Sequence, residues 1–262
     1  MPLNINQPAA NALFSIDATP RMPTISCQAR ITGIQPDPTE NTPFDWSIQI
    51  TETVRASSCQ SSLVGTCTLT VGQQSVVGGR WAPTFNSING GDAVITVRAR
   101  VQDAVLQSTV NVRIRGTNPA AARITAALGG AGTAADRIGC HESGRRQFDG
   151  TGMPLLGPGG DVGVMQLCNP AASCTQRWDW TANVAAGAAL IAQKETAARR
   201  HLNQHIVQSH YLNNQNFGDA DVLLRETIQR YNGGAFWVWD VQHGHWRAAP
   251  PNNYVVGVLA CR

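Results

Sequence analysis

Between residues 44 and 115 the chain alternates apolar and polar residues in three runs. Phe44, Trp46, Ile48 and Ile50 interleave with Asp45, Ser47, Gln49 and Thr51; Ile95, Val97, Ala99 and Val101 interleave with Thr96, Arg98 and Arg100; Val110, Val112 and Ile114 interleave with Asn111, Arg113 and Arg115. Successive side chains of a strand point to opposite faces, so each run predicts a strand with one buried face. Thr24 to Ile34 and Thr66 to Val77 are further strand candidates, and Leu13-Phe14-Ser15-Ile16 reads as a first edge strand. Clusters of Pro, Gly, Ser and Asn separate them. The pattern predicts an irregular lead-in over residues 1–22 and a small antiparallel β-sandwich over 23–117.

The pattern changes after Gly116-Thr117-Asn118-Pro119. Asn118 suits a helix N-cap and Pro119 a first helical turn, and Ala and Leu then replace Val and Thr. Helices are expected over Ala120 to Leu128, from about Ala134 to a stop at Gly144, from Thr181 to His210, and from a cap at Asp219 to Tyr231, ahead of Gly233-Gly234. Phe148 to Gly163, rich in glycine with two prolines, reads as a shaped loop. The fold class expected is thus two-domain: an all-β sandwich, then a mainly α domain over 118–262. In pattern alone the first part resembles bacterial immunoglobulin-like modules, with Cys27 and Trp46 echoing their core pair. Such modules act as spacers, docking domains or carbohydrate binders. Trp46 and Trp81 read either as core residues or as glycan platforms.

With 262 residues, 42% of them hydrophobic, the chain can build a core in each part. The net charge of +3 divides into +1 before Asn118 and +2 after it, so no basic domain marks a nucleic-acid partner. There is no apolar run of about 18 residues, hence no membrane span is expected. The start, Met1-Pro2-Leu3-Asn4-Ile5-Asn6-Gln7, shows no standard secretory signal. Seven cysteines nevertheless point to disulfides formed in an oxidising compartment, with one thiol left over; the close spacings of Cys59 and Cys67, and of Cys168 and Cys174, suit loop staples. The competing account is buried, reduced cysteine.

Glycoside cleavage needs a carboxylic acid that delivers a proton to the leaving oxygen. Glu142 follows Ile138 and Gly139 by one helical turn, where an apolar wall would raise its pKa, unless Arg145 or Arg146 points at it. Two other short motifs accompany Glu142-Ser143: Gly163-Val164-Met165-Gln166-Leu167, and Tyr231-Asn232-Gly233-Gly234 after Arg230. Asn183-Val184-Ala185-Ala186-Gly187 and Tyr254-Val255 complete a series of five. In this order they resemble the lytic transglycosylases and goose-type lysozymes over roughly Ile124 to Leu259.

The resemblance implies a lysozyme-like fold and cleavage of peptidoglycan glycan strands, with Glu142 as general acid and then base. Ser143 would brace the site, Met165 and Gln166 would line the sugar cleft, and Tyr231 and Asn232 would hold Glu142 and contact substrate. No cofactor or metal is implied. The transglycosylase branch ends in a 1,6-anhydromuramoyl product, whereas the hydrolytic branch uses a second carboxylate to place water. Asp149 and Asp161 are the candidates for that carboxylate, or else they tie down their loop. The chain departs from the family at Arg230, where alanine is usual, and in the long segment between Glu142 and Gln166.

Trp178 and Trp180 are candidate sugar-stacking residues, while Trp237 and Trp239 read as core. His201 and His205 have the spacing of a metal pair, but a solvated helix face accounts for them; His141-Glu142 lacks the second histidine of a zinc-protease motif, since Arg145 stands there. The rival from another class is an inactive wall-binding or secretion-adaptor protein. Delivery into another cell's periplasm by a secretion-system carrier, with a cognate immunity protein in the producer, is the expected route for an antibacterial effector.

Overall fold

The structure is a computed structural model, and it describes residues 1–54, 59, 65–130, 132–205, 211–212, 215–216 and 220–261. The first eight strands are β1 (Leu3–Gln7), β2 (Leu13–Ile16), β3 (Cys27–Ile31), β4 (Pro43–Val54), β5 (Gly65–Val77), β6 (Arg80–Trp81), β7 (Gly91–Val101) and β8 (Ala104–Gly116). They form a five-stranded sheet in the order β2-β8-β7-β4-β5 and a three-stranded sheet in the order β1-β3-β6. The alternation of β4, β7 and β8 is realised. Phe44, Trp46, Ile48 and Ile50 are buried and register against Ala99, Val97, Ile95 and Ala93 of β7. Trp46 and Trp81 stack on each other at 5.8 Å inside this core, which settles both as packing residues.

The remaining elements are α1 (Ala121–Gly129), α2 (Thr133–Ser143), α3 (Cys174–Trp178), α4 (Trp180–Leu202), strands β9 (Tyr211–Leu212) and β10 (Gln215–Asn216), α5 (Ala220–Asn232), strands β11 (Trp237–Asp240) and β12 (His245–Ala248), and α6 (Asn253–Ala260). The chain divides into two compact units. One comprises Met1–Pro119, Gln147–Gly163 and Cys168–Trp180; the other comprises Ala120–Arg146, Val164–Leu167 and Thr181–Arg262. No helix is long and apolar enough to cross a membrane among the described residues.

This overturns the expected all-β immunoglobulin-like sandwich followed by a mainly α lysozyme-like domain: the molecule is mixed α/β. Residues 1–22 are not an irregular lead-in, since β1 and β2 each join a sheet and β2 runs parallel to β8. The first unit includes α3 and the glycine-rich segment. The second unit adds two hairpins, β9–β10 and β11–β12, to its helices. The helix expected to run to His210 ends at Leu202 and passes into a 3-10 turn over Asn203–His205. Residues 206–210 and the expected cap Asp219 lie outside the described residues.

Three interactions within the first unit explain why residues beyond Pro119 belong to it. Asn118 caps no helix. Its Oδ1 accepts the backbone N–H groups of Gln147 and Phe148 at 2.8 and 2.9 Å, and its Nδ2 donates to Phe148 O at 2.8 Å, so it holds the returning chain like a strand neighbour. Disulfides Cys59–Cys168 and Cys67–Cys174 then tie the next segment back across 109 and 107 residues, in place of the short-range staples expected. A third disulfide, Cys140–Cys261, lies in the second unit, and Cys27 is the thiol left over.

The third interaction is ionic. Glu52 on β4 is directly opposite Cys67 on β5, and its carboxylate meets Arg177 and Trp178 of α3. Arg177 Nε lies 3.0 Å from both carboxylate oxygens, Nη2 lies 2.5 Å from Oε1, and Trp178 Nε1 donates to Oε2 at 2.6 Å. The two charged side chains are only 2% and 5% exposed, so each requires the other. The Trp178 ring packs against Gly90, where a Cβ would come within 2.3 Å of it. A capping box joining Ser173 and Gln176 starts α3.

Two expectations follow for this unit. Glu52→Ala strands the Arg177 guanidinium in the interior and should cost about 3–5 kcal/mol in denaturant unfolding. Burial pushes the Cys27 thiol from its ordinary 9.0 up to about 12. In the non-reduced folded protein, alkylation at pH 8 should label no cysteine, and in guanidinium it should label one. Because the folded thiol keeps its proton longer than the unfolded one, stability should fall as pH rises from 9 toward 12, and Cys27→Ala should remove that slope.

Candidate active site

Glu142 sits in the last turn of α2, half-buried, between exposed His141 and buried Ser143. The helix ends on Gly144 at φ 61°, a left-handed conformation that glycine adopts without strain, and Gly144 N–H and Arg145 N–H close the turn on Cys140 O and Gly139 O at 2.9 and 3.1 Å. Arg145 continues at φ 59° and is held there by a two-pronged ion pair with Asp136, both contacts 2.9 Å. The Arg145 hydrogen bond in turn keeps the Asp136 carboxyl below the usual carboxylate range. Arg146 Nε donates to Ser143 O at 3.2 Å. Both flanking arginines thus serve the helix stop.

Ser143 joins this stop to the second motif. Its hydroxyl lies 2.8 Å from Val164 O and 3.0 Å from Gly139 O, and accepts from Arg146 N–H at 3.1 Å. Met165 is fully buried, so it packs the interior and does not line an open cleft. Its backbone is clamped on both sides: its N–H donates to Asn183 Oδ1 at 2.9 Å, and its carbonyl accepts the Tyr231 hydroxyl at 2.5 Å. Gly187, one turn after Asn183 on α4, leaves room for the Met165 side chain, since a Cβ there would lie 2.4 Å from Met165 Cγ. The Asn183 to Gly187 spacing is therefore a receptor for one residue, with asparagine taking its amide and glycine its side chain. Gln166 follows at φ 46°, unusual for a side chain with a Cβ and a form of strain that clusters at functional sites.

The phenol on Glu142 comes from α6. Tyr254 donates its hydroxyl proton to Glu142 Oε1. Burial, then the negative charge of Glu142, pushes the Tyr254 hydroxyl well above the ordinary tyrosine range, so it remains a donor at every working pH. Tyr254 also meets the His141 ring edge-on at 5.2 Å, and Gly257 lies so near that ring that a Cβ would come within 2.6 Å of Cε1. Tyr231, expected at the carboxylate, donates its hydroxyl to the Met165 carbonyl. In the sequence Tyr254 stands out only as part of the Tyr254-Val255 pair.

Arg230, where the resemblance has alanine, answers Glu226. That carboxylate is completely buried on α5, and its Oε2 accepts the backbone N–H groups of Phe236 and Trp237, each at 2.9 Å. Arg230 Nε approaches Oε1 at 2.7 Å as an ion contact outside hydrogen-bond alignment. Glu226 thereby fixes the turn after Asn232, which is exposed at the end of α5. His201 Nε2 lies 2.8 Å from Trp237 O, so His201 supports the β11–β12 hairpin; the His205 side chain is outside the description.

The other candidates belong to the first unit. Trp178 is wholly buried on Glu52, and Trp180, 4% exposed, donates Nε1 to Ala18 O at 2.9 Å; neither ring presents a face to a sugar. Asp149 caps its own turn, its Oδ1 accepting from Thr151 N–H, Thr151 Oγ1 and Met153 N–H at 2.7, 2.7 and 3.1 Å. Burial works to raise its carboxyl, and the bonds from Thr151, Met153 and Gly152 outweigh it and leave it below the usual range. Asp161 lies beside a disulfide, with Oδ1 3.6 Å from Cys59 Sγ. Among the described residues, Cys59, Asp161 and Cys168 are close enough together to hold a metal, but the two sulfurs are bonded to each other.

No protein-family model matches the chain, and no curated protein matches it. Among solved structures, a crystal structure of an engineered protein aligns with 43% of this chain and 19% of that chain, at 17% identity and a TM-score of 0.20, a likeness that carries no argument about the fold.

Gly187→Ala should force Met165 off its seat and destabilise the second unit by about 1–3 kcal/mol in thermal or denaturant unfolding.

Proposed function

We propose that the chain is a lytic transglycosylase that cuts the β-1,4 bond between N-acetylmuramic acid and N-acetylglucosamine in peptidoglycan, with Glu142 as acid and then base. The observation that carries the reading is the setting of Glu142: a half-buried carboxyl at a rigid helix stop, bonded at Oε1 by a phenol that does not ionise. A phenol donating to Oε1 orients the carboxyl and disfavours a proton on that oxygen. That the first and second motifs meet through Ser143 and Val164, and the second and third through Met165 and Tyr231, adds support from independent parts of the chain.

In this mechanism Glu142 gives its proton to the glycosidic oxygen as the bond from that oxygen to the muramic C1 breaks. The substrate's own N-acetyl oxygen bonds to C1 in its place. The Glu142 carboxylate then takes the proton of the C6 hydroxyl, the C6 oxygen displaces the acetyl oxygen at C1, and a 1,6-anhydro end leaves with Glu142 protonated again. In this reading Gln166 and Asn232 are the substrate contacts. The transglycosylase outcome is preferred to the hydrolytic one because Asp149 Oδ1 accepts three hydrogen bonds within its own turn, the work of a loop tie.

Three disulfides favour a site of action in an oxidising compartment, outside the cytosol or in the periplasm. An antibacterial effector, carried there by a secretion system and matched by an immunity protein in the producing cell, fits that setting. The test is mass spectrometry of soluble products from purified peptidoglycan. Wild type should release 1,6-anhydro ends and Glu142→Gln none. Reducing ends in their place would make the chain a hydrolase and return attention to Asp149 and Asp161, and no soluble product would favour a binding or adaptor protein.

A further inference from the structure

The short helix α6 touches the end of α2 through one face. Tyr254, Gly257 and Cys261 recur at intervals of three and four residues, which puts them on one side of a helix. They meet Glu142, His141 and Cys140 respectively, three consecutive residues of α2. Hydrogen bond, close backbone approach and disulfide thus form a single row. Eight residues are too few for a helix to persist alone, and only Val255 and Val258 of α6 are buried. The covalent member of the row is the Cys140–Cys261 bond, two residues from the carboxylate on one helix and seven from the phenol on the other.

This disulfide is also the most open of the three. Both of its cysteines are partly exposed, whereas Cys59 and Cys67 hide one sulfur of each other pair. Access is one of the factors that set the rate of thiol–disulfide exchange, and at this bond both residues offer it.

We propose that Cys140 and Cys261 are positioning residues for Glu142, acting through Tyr254, so that the chain is an active glycan-cleaving enzyme only with this disulfide formed. The inference rests on the reading of Glu142 as the acid. In a reducing compartment a dithiol attacks one sulfur, the S–S bond breaks, the leaving sulfur takes a proton, and the second thiol of the reductant resolves the mixed disulfide. Cys140 and Cys261 end as thiols and the reductant as a disulfide. The α6 helix then loosens, Tyr254 leaves Oε1, and the carboxyl loses its fixed orientation, a misplacement of the kind that costs orders of magnitude in rate.

The experiment compares four full-length proteins on soluble peptidoglycan fragments: wild type, C140A/C261A, Tyr254→Phe, and the triple variant, each checked by circular dichroism and by hydrogen exchange. The expected result is a fall in kcat of about tenfold or more in C140A/C261A with KM little changed, loss of exchange protection over residues 253–260 alone, and no further fall when Tyr254→Phe is added. Full activity in C140A/C261A overturns the inference and leaves the enzyme reading intact. So does a further fall in the triple variant equal to that of Tyr254→Phe alone, since the disulfide and the phenol would then act independently. A wild type that releases no product overturns the enzyme reading itself, and the inference with it. If C140A/C261A loses protection throughout α2 and α5, the disulfide is a general staple and the positioning role is refuted.

Discussion

A carboxylate inside a β-sheet has to find its counter-charge, and Glu52 finds it 125 residues away in Arg177. Leaving either charge unpaired would cost several kcal/mol, enough to consume much of a domain's stability. The pairing therefore dictates which chain segments build the first unit. Around it gather the Cys67–Cys174 bond on the strand partner of Glu52, the Trp178 ring against Gly90, and Gln147, whose Nε2 donates to the carbonyls of Gln176 and Arg177 at 3.0 and 2.9 Å. A loop of about a hundred residues closed by a disulfide adds roughly 4–5 kcal/mol in the chain-entropy picture. Charge, ring and covalent bond all hold the same short helix.

The second unit follows a different logic, in which backbone groups do the holding. Helix α2 has to stop at a defined residue for Glu142 to face anywhere in particular. Gly144 stops it, Asp136 pins Arg145 after the stop, and Ser143 ties the stop to Val164. Met165 is then fixed through its amide, its carbonyl and its side chain by three residues from two helices. Little of this needs a long side chain, which is why the motifs are built from Gly, Ser, Asn and Tyr.

Local order was legible in the sequence to the extent that it rests on periodicity and stops. The strands through Phe44, Ile95 and Val110 and the helix closed by Gly144 stand where the alternation and the glycine put them. What depended on distant partners was not legible. Cysteine spacing suggested short staples, but geometry joins Cys59 to Cys168 and Cys67 to Cys174. Asn118 looked like a cap because caps and strand clamps use the same side chain. Trp178 looked like a sugar platform because nothing local reveals that Glu52 receives its N–H. The Ser173 to Gln176 spacing is the local signal of the α3 start, a capping box visible in sequence. Ser143, next to Glu142, bonds the Val164 carbonyl of the second motif, a contact between two stretches that the sequence presents as separate motifs. Tyr254 emerged as the partner of Glu142 only with α6 in place, and Glu226, with Arg230 as its counter-ion, explains a departure that the motif comparison left open.

The chain leaves the first unit after Pro119, re-enters it at Gln147, leaves again for Val164–Leu167, and returns from Cys168 to Trp180. On the ribosome, the sheets could emerge in full and still lack α3, the counter-charge of Glu52 and the partners of Cys59 and Cys67. The first unit therefore completes only once Trp180 has been made, and until then the Glu52 carboxylate lacks its counter-charge. A gene cut at the Asn118–Pro119 junction deprives the first unit of α3 and of the glycine-rich segment, whereas every segment of the second unit lies beyond the cut.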